Sequence, residues 1–334
     1  MTKLQRKQKV VEHLAQRRSL RFNGQEVSRT PLLVPSFSSK GFADVGKIVQ
    51  YASDVIDSAT LVSAYDIHYR RIEPPFTFAD LLFLDSGGYE ASKELDLSDY
   101  GDREHKPKPW SREMHEAQLK LWKPLTPSVI ISYDHPDERL PISDQILRAK
   151  SMAPGRTDVM REILIKPEAG QTQIPMKALL KHARKLGSFD VVGVTEKEIG
   201  NSILTRMQNI AALRRALAKA GINVPIHIFG SLDTVTTPLY FLAGADIFDG
   251  LTWLRFAFYE GQTLYKQNFG ALHLGLQTKA HVIDGLCWNK NYYYIKELEL
   301  EMRRFLTSHD FTVFKHHGNE FRAALESALE AGGA

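Results

Sequence analysis

The chain has 334 residues, of which 43% are apolar and 25% charged, a balance typical of a globular protein. No apolar run approaches the ~18–20 residues that cross a bilayer, and the basic N-terminus lacks the apolar core of a secretion signal, so we expect a cytoplasmic protein without a membrane partner. The single cysteine, Cys287, excludes an internal disulfide, and a net charge of +4 indicates only a mild preference for a polyanionic partner.

Short apolar, β-branched runs alternate with amphipathic segments along most of the chain. Near-continuous apolar strands separated by helices are typical of a parallel sheet that is covered on its faces. Eight of them predict an α/β fold, the (β/α)8 TIM barrel, which takes about 250 residues. The predicted strands are 31–35, 60–64, 81–84, 129–133, 163–165, 189–194, 225–229 and 246–248, and the helices between them are 114–122, 142–152, 176–186, 203–220 and 235–243.

Both ends of the chain lie outside this barrel. We predict a basic lead-in over residues 1–29, the catalytic barrel over residues 30–277, and a helical appendage over residues 278–334, with helices at 291–305 and 319–331 packed on the barrel. Basic residues cluster at 3–21, 106–110 and 303–304. Each cluster alone is more simply a solvated face, but the first two are also candidate contacts for a nucleic-acid backbone.

Acidic residues that directly follow predicted strands are the candidate site. Asp85 follows the third strand, Asp134 the fourth and Asp249 the eighth. The chemistry of this fold lies at the carboxyl ends of its strands. One such Asp is as readily a helix N-cap, but three on one rim favour a site. Two carboxylates suit displacement at a sugar carbon, because one attacks C1′ while the other manages the proton on the leaving base.

Glycines and aromatic residues accompany the three carboxylates. Glycine lets backbone N–H and C=O groups approach a flat ligand closely. Tyr89 and Phe229 end the third and seventh strands, where aromatics are ordinarily core residues. Facing one another across the mouth of a barrel, they would instead stack on a purine, worth ~1–3 kcal/mol per base. The glycines at these strand ends are Gly87, Gly88, Gly193 and Gly230.

Two motifs resemble those of the tRNA-guanine transglycosylase superfamily. Residues 82–89 (LFLDSGGY) resemble its Asp-Ser-Gly-Gly-Tyr/Phe signature, and residues 225–255 resemble its passage from strand seven to strand eight. Residues 30–41 also look like its first strand and loop, so the resemblance covers about residues 30–325. Within the second motif the resembling positions are Phe229, Gly230, Phe248, Asp249 and Arg255.

The resemblance implies a role for each matching residue. Asp249 would be the nucleophile that forms a covalent glycosyl-enzyme intermediate, and Asp85 the general acid/base. Asp134 would read the Watson–Crick face of the purine, helped by backbone near Gly193. The implied reaction cuts a guanine N-glycosidic bond in a nucleic acid and inserts a 7-deazaguanine base such as preQ0, with no cofactor. The other implied substrate-binding positions are Ser86, Gly87, Gly88, Tyr89, Phe229, Gly230 and Arg255.

Two departures from the family pattern bear on base selection and on metal binding. The family has a base-reading Gln after its fifth strand, where this sequence has Lys166, so base selection there is open. The family's structural zinc site, Cys-x-Cys-x-x-Cys and a later His, is matched only at Cys287 and His309. Two ligands cannot complete a tetrahedral site. We therefore expect the zinc to be lost, with a site rebuilt from His316 and His317 as the alternative.

Four hypotheses of function stay open at this point. The first is base exchange on DNA, as in the 7-deazaguanine DNA-modifying branch. The second is the same exchange on tRNA, in the queuosine or archaeosine pathway. Loss of the zinc element slightly favours the first over the second. The third is a non-catalytic nucleic-acid-binding subunit, against which the retained Asp85 and Asp249 argue. The fourth, an unrelated barrel hydrolase, leaves the spacing from Asp249 to Arg255 unexplained. A homodimer or a partner subunit is compatible with the first three.

Overall fold

The structure, a computed structural model, describes residues 13–93 and 105–330. Within these residues the strands are β1 (Ser19–Phe22), β2 (Gln25–Arg29), β3 (Leu32–Pro35), β4 (Ala59–Ser63), β5 (Leu81–Asp85), β6 (Ser128–Ile131), β7 (Met160–Ile165), β8 (Val191–Thr195), β9 (Ile226–Phe229), β10 (Ile247–Gly250), β11 (Phe256–Tyr259) and β12 (Gln262–Tyr265). The helices are α1 (Val45–Ala52), α2 (Ala64–His68), α3 (Gly88–Ala91), α4 (Arg112–Leu121), α5 (Ile142–Lys150), α6 (Met176–Lys181), α7 (Ala183–Leu186), α8 (Ile203–Lys219), α9 (Thr236–Leu242), α10 (Thr252–Arg255), α11 (Lys266–His273), α12 (Ala280–Ser308) and α13 (Gly318–Glu330).

Strands β3 to β10 form one eight-stranded parallel sheet that curls into a nearly closed barrel. From β4 to β10 each strand pairs with the next along the chain, and β10 pairs in turn with β3. Between β3 and β4 a parallel bridge joins Ser36 to Leu61, and the amide of Phe37 donates to the Leu61 carbonyl at 3.1 Å. The predicted eight-stranded α/β barrel is therefore confirmed.

Alternate residues of each barrel strand point to opposite sides of the sheet, as strand geometry requires. One set packs inside the barrel, for example Leu81 and Phe83 of β5. The other set, for example Leu82 and Leu84, packs with residues of the surrounding helices. Both faces of the strands are thus buried, which explains why their sequences are apolar almost throughout.

A hairpin formed by β1 and β2 precedes the barrel and was not predicted. Its turn is Asn23-Gly24, with φ values of 50° and 79°, the pair of positive φ angles that two-residue hairpins favour. Leu20 joins the apolar cluster of the barrel interior, and Arg18 forms a buried ion pair with Asp246 at 2.6 Å. The end of the predicted lead-in is therefore packed on the barrel. Residues 3–12 of the basic cluster lie outside the described residues.

The residues after β10 form a second hairpin, β11–β12, followed by α11, α12 and α13. Helix α12 has 29 residues and starts well before the predicted helix at 291–305. The earlier start was not predicted because the first third of the helix contains Gly285 and other poor helix formers. Met302 and Phe305 of α12 share an apolar cluster with Leu33 of β3. Among the described residues, no helix is both long and apolar enough to span a membrane.

Candidate active site

A pocket of about 460 Å³ opens where the barrel strands end, a size typical of small-molecule sites. Eight of the residues singled out in the sequence line it: Asp85, Gly88, Tyr89, Asp134, Phe229, Gly230, Asp249 and Arg255. Three others, Ser86, Gly87 and Gly193, do not line this pocket. The three carboxylates predicted to share one rim therefore share one pocket.

Asp249 is held at the base of the pocket by donors on both carboxylate oxygens. Its Oδ2 accepts a hydrogen bond from the Ser36 hydroxyl at 2.7 Å, and its Oδ1 accepts one from the Gly230 amide at 3.1 Å. The Nε2 atom of His227 lies 3.3 Å from Oδ1. Asp249 is 6% exposed, so its carboxylate is oriented by the protein and reached only through the pocket.

Asp85, the last residue of β5, has the properties of a proton donor. Its Oδ2 accepts the Gly87 amide at 3.2 Å, while the N-cap of α3 is Gly87, so Asp85 does not act as the helix cap. Burial raises the pKa of Asp85 well above the ordinary carboxyl value, and the nearby carboxyl groups of Glu90, Asp134 and Asp249 raise it further. Asp85 therefore retains a proton at a pH where an exposed carboxyl group has lost it.

Asp134 is fixed by the signature loop that follows β5. The Ser86 hydroxyl donates to Asp134 Oδ1. A Cβ atom built on Gly88 would lie 2.5 Å from the same oxygen and 2.6 Å from the Asp134 carbonyl, so only glycine allows this approach. Ser86 and Gly88 of the motif thus position the carboxylate that was predicted to read the base.

Lys166 lies in the pocket beside Asp134 and is tied to residues that the sequence reasoning did not single out. Its ammonium group lies 2.6 Å from Glu198 Oε2 and 3.7 Å from Asp134 Oδ2, and it donates to the Thr195 hydroxyl at 3.0 Å. Arg139 lies 3.9 Å from Asp134 Oδ2 and faces the same pocket. The wall near Asp134 therefore presents cationic donors next to carboxylate acceptors.

The two predicted stacking residues both line the pocket but are supported differently. The Arg255 guanidinium donates to the Tyr89 hydroxyl at 2.7 Å, and the Lys40 ammonium lies 4.8 Å from the centre of the Tyr89 ring. Phe229 stacks on the His227 ring at a centroid distance of 4.0 Å. Arg255 therefore contacts the signature motif directly, which connects the two resembling motifs in space.

A further acidic group, Glu90, lies on the pocket wall and was not predicted. It accepts hydrogen bonds from the hydroxyls of Ser38 and of Ser63, the latter at 2.9 Å. Burial, followed by the neighbouring carboxyl of Asp66, raises the pKa of Glu90 to about 8. This group is therefore protonated at neutral pH.

The basic stretch at residues 106–110 supports the signature loop and also exposes cations. Trp110 is buried, and its indole N–H donates to the Ser86 carbonyl at 2.8 Å. Lys106 and Lys108 are exposed, with the Lys108 ammonium 4.6 Å from the centre of the Tyr69 ring. Lys106 and Lys108 remain candidates for contacts with a nucleic-acid backbone, whereas Trp110 is a core residue.

The two residues that resemble the family's zinc ligands lie far apart. Cys287 is buried near the start of α12 with Ala257 and Phe269, and His309 caps the other end of that helix. The 22 residues that separate them correspond to about 33 Å of helix. His309 stacks instead on His13 at 4.0 Å between centroids. Cys287 and His309 therefore do not fit a shared zinc ion, and across residues 13–93 and 105–330 no three His, Cys, Asp or Glu side chains form a metal-binding group.

Comparison of the chain with models of known protein families and with curated proteins gave no match.

Proposed function

We propose that the protein is a guanine transglycosylase that exchanges guanine in a nucleic acid for a 7-deazaguanine base through a covalent intermediate on Asp249. One observation supports this most directly: a carboxylate surrounded by donors, Asp249, and a carboxyl group that holds its proton, Asp85, line the same pocket. A carboxyl group that its surroundings keep protonated, in the same pocket as a carboxylate, is a usual basis for assigning the acid.

In the proposed reaction, Asp249 attacks C1′ of a guanosine unit. The C1′–O bond forms as the C1′–N9 bond breaks, and the guanine leaves with the electron pair and takes a proton from Asp85. In the second half, N9 of the incoming 7-deazaguanine attacks C1′ and gives its proton to Asp85. The C1′–O bond breaks and its electron pair returns to Asp249, so the enzyme is regenerated without a cofactor.

Recognition of the base is proposed to rest on the wall that contains Asp134 and Lys166. A guanine edge offers N–H donors beside a carbonyl acceptor, and this wall offers a carboxylate beside an ammonium group, 3.7 Å apart. Lys166 would then serve where the family uses a glutamine. Tyr89 and Phe229, both in the pocket, would supply flat surfaces for the ring. The target base has to leave its stack to enter such a pocket.

DNA is the proposed polymer, and tRNA is the alternative. Residues 278–334 are proposed to be a degenerate zinc subdomain, since only Cys287 and His309 match the family's four ligand positions and α12 holds these two apart. We take loss of a zinc element that serves tRNA binding, together with retention of the pocket, to favour a change of polymer. The exposed Lys106 and Lys108 are proposed to contact the phosphate backbone, so affinity would fall steeply with added salt.

The proposed covalent step can be tested by trapping. The protein is incubated with guanine-containing DNA or tRNA, denatured without heating, and separated by size; a covalent adduct is expected with the wild type and none with Asp249→Asn, because the neutral amide cannot attack C1′. The matched control is Asp158→Asn, which removes a surface carboxylate paired with Arg156. An adduct of normal yield with Asp249→Asn would refute Asp249 as nucleophile.

A further inference from the structure

Behind Asp249, inside the barrel, lies a buried chain of three ionisable side chains. Glu162 of β7, His227 of β9 and Asp249 of β10 all point inward, on the same side as Leu164, Phe229 and Ile247. The Nδ1 atom of His227 lies 2.9 Å from Glu162 Oε1, and its Nε2 atom lies 3.3 Å from Asp249 Oδ1. Glu162 and His227 have no exposed surface, so this chain is part of the protein interior.

Gly193 makes the contact between Glu162 and His227 possible. It lies on β8, between the strands that carry the two residues, and pairs with His227 in the sheet register. A Cβ atom at position 193 would lie 2.5 Å from Glu162 Oε1 and 2.6 Å from the Phe229 ring. The absence of a side chain therefore opens the path by which Glu162 reaches across β8 to the imidazole.

The charges around His227 favour an imidazolium. Burial disfavours the charged ring, but Glu162 from β7 and Asp249 from β10 outweigh it and raise the pKa of His227 to about 9. The aromatic neighbours of His227 are uncharged: the Phe83 ring of β5 lies 5.4 Å away edge-on, and Phe229 stacks at 4.0 Å. An unpaired imidazolium in this interior would be costly, so Glu162 is the counter-charge that maintains it.

We propose that His227, held by Glu162, is a positioning residue that keeps a positive charge beside Asp249 and thereby speeds release of the sugar from Asp249 in the second half of the exchange. This inference rests on the proposed function. When the C1′–O bond breaks, the electron pair returns to the Asp249 carboxylate, and an imidazolium 3.3 Å from Oδ1 stabilises the charge that develops there. In the first half the Asp249 carboxylate already carries its negative charge and loses it as the C1′–O bond forms, so the imidazolium gives no such help.

The two halves can be separated by isolating the glycosyl-enzyme adduct and chasing it with free guanine. Adduct breakdown is expected to be about 100-fold slower in His227→Gln, the cost typical of losing one donor to a developing charge, while adduct formation changes far less. Glu162→Gln tests the positive charge of His227 by removing its carboxylate counter-charge. The matched control, His182→Gln, alters a half-buried histidine in the turn between α6 and α7 and is expected to behave like the wild type. Equal slowing of both halves, or normal breakdown, would overturn the proposal.

The pH profile of breakdown separates a charge effect from a packing effect. Breakdown is expected to rise as Asp85 ionises to accept the N9 proton, and to fall as His227 loses its proton, at a lower pH than in the free protein because Asp249 is an uncharged ester in the adduct. In Glu162→Gln the neutral amide no longer supports the imidazolium, so the falling limb is expected at lower pH. A falling limb that does not move would overturn the proposal.

A third measurement needs no turnover and separates this inference from the proposed function. The imidazole nitrogens are followed by NMR in the ¹⁵N-histidine-labelled full chain, with His227→Gln identifying the His227 signals. Titration near pH 9 in the wild type and at lower pH in Glu162→Gln is expected. Titration at the ordinary histidine value would overturn the proposal even if exchange is observed. A wild type that forms no adduct refutes the proposed function and, with it, the role given to His227, whatever the titration shows.

Discussion

At the scale of single residues, Asp85 and Asp249 differ in what surrounds them more than in where they lie. Asp249 faces the Ser36 hydroxyl, the Gly230 amide and the His227 imidazole, whereas Asp85 accepts one backbone amide and lies among other carboxyl groups. The first environment suits a carboxylate that attacks carbon, and the second suits a carboxyl group that gives and takes a proton.

Replacing Asp85 tests the second of these roles. Asp85→Asn is expected to slow base exchange by about 100-fold or more, within the range that proton-transfer groups contribute, while nucleic-acid affinity stays close to that of the wild type. Exchange is measured with a labelled base, and affinity by titration of fluorescent DNA. If affinity collapses together with the rate, Asp85 is a structural residue of the signature loop and the proton-transfer role is excluded.

At the scale of elements, the signature loop after β5 positions Asp134 through glycine. Gly88→Ala would place a methyl group 2.5 Å from Asp134 Oδ1 and 2.6 Å from its carbonyl oxygen, and the backbone contact cannot be relieved by a rotamer change. We expect at least a tenfold loss of exchange and a lower melting temperature.

The matched control for this substitution is Gly285→Ala in α12, where an added Cβ meets nothing within 4 Å. Alanine is favoured over glycine in a helix by about 1 kcal/mol, so this variant is expected to melt at or slightly above the wild-type temperature with unchanged exchange. Wild-type exchange by Gly88→Ala would show that Asp134 does not need its observed position.

The elements that the sequence predicted are those with a strong periodic signal. All eight barrel strands were predicted, because strands buried on both faces are apolar throughout, whereas the hairpins β1–β2 and β11–β12 are short and partly exposed. Their turns are Asn23-Gly24 and Glu260-Gly261, and both residues of each turn have a positive φ angle. A two-residue turn that ends in glycine indicates a β-hairpin, and this signal was missed.

The three carboxylates of the candidate site were predicted from their positions at strand ends. Asp85, Asp134 and Asp249 lie at or after strand ends, where position alone indicates the rim. Glu162 and His227 lie within strands, and no sequence pattern indicates that two polar residues 65 positions apart meet across a third strand. Gly193 was interpreted as a base contact, but in the structure it provides the space for that meeting.

At the scale of the whole molecule, the separation of Cys287 from His309 leads to a prediction about metal content. Helix α12 holds them about 33 Å apart, so one zinc ion cannot bind both. Metal analysis of the purified protein is expected to find well under one zinc per chain, and a chelator is expected to leave the melting temperature unchanged. Stoichiometric zinc whose removal unfolds the protein would show that other residues, such as His316 and His317, have rebuilt the site.

The central claim, base exchange in a nucleic acid through Asp249, is tested most directly by incorporation of labelled guanine. Wild type and Asp249→Asn are incubated with duplex DNA or bulk tRNA at matched low salt, and the label in each polymer is counted. The wild type is expected to label DNA, with less label in tRNA, and Asp249→Asn neither. Label in tRNA alone would overturn the choice of DNA. No label in either polymer with the wild type, or equal labelling by Asp249→Asn, would contradict the proposed function.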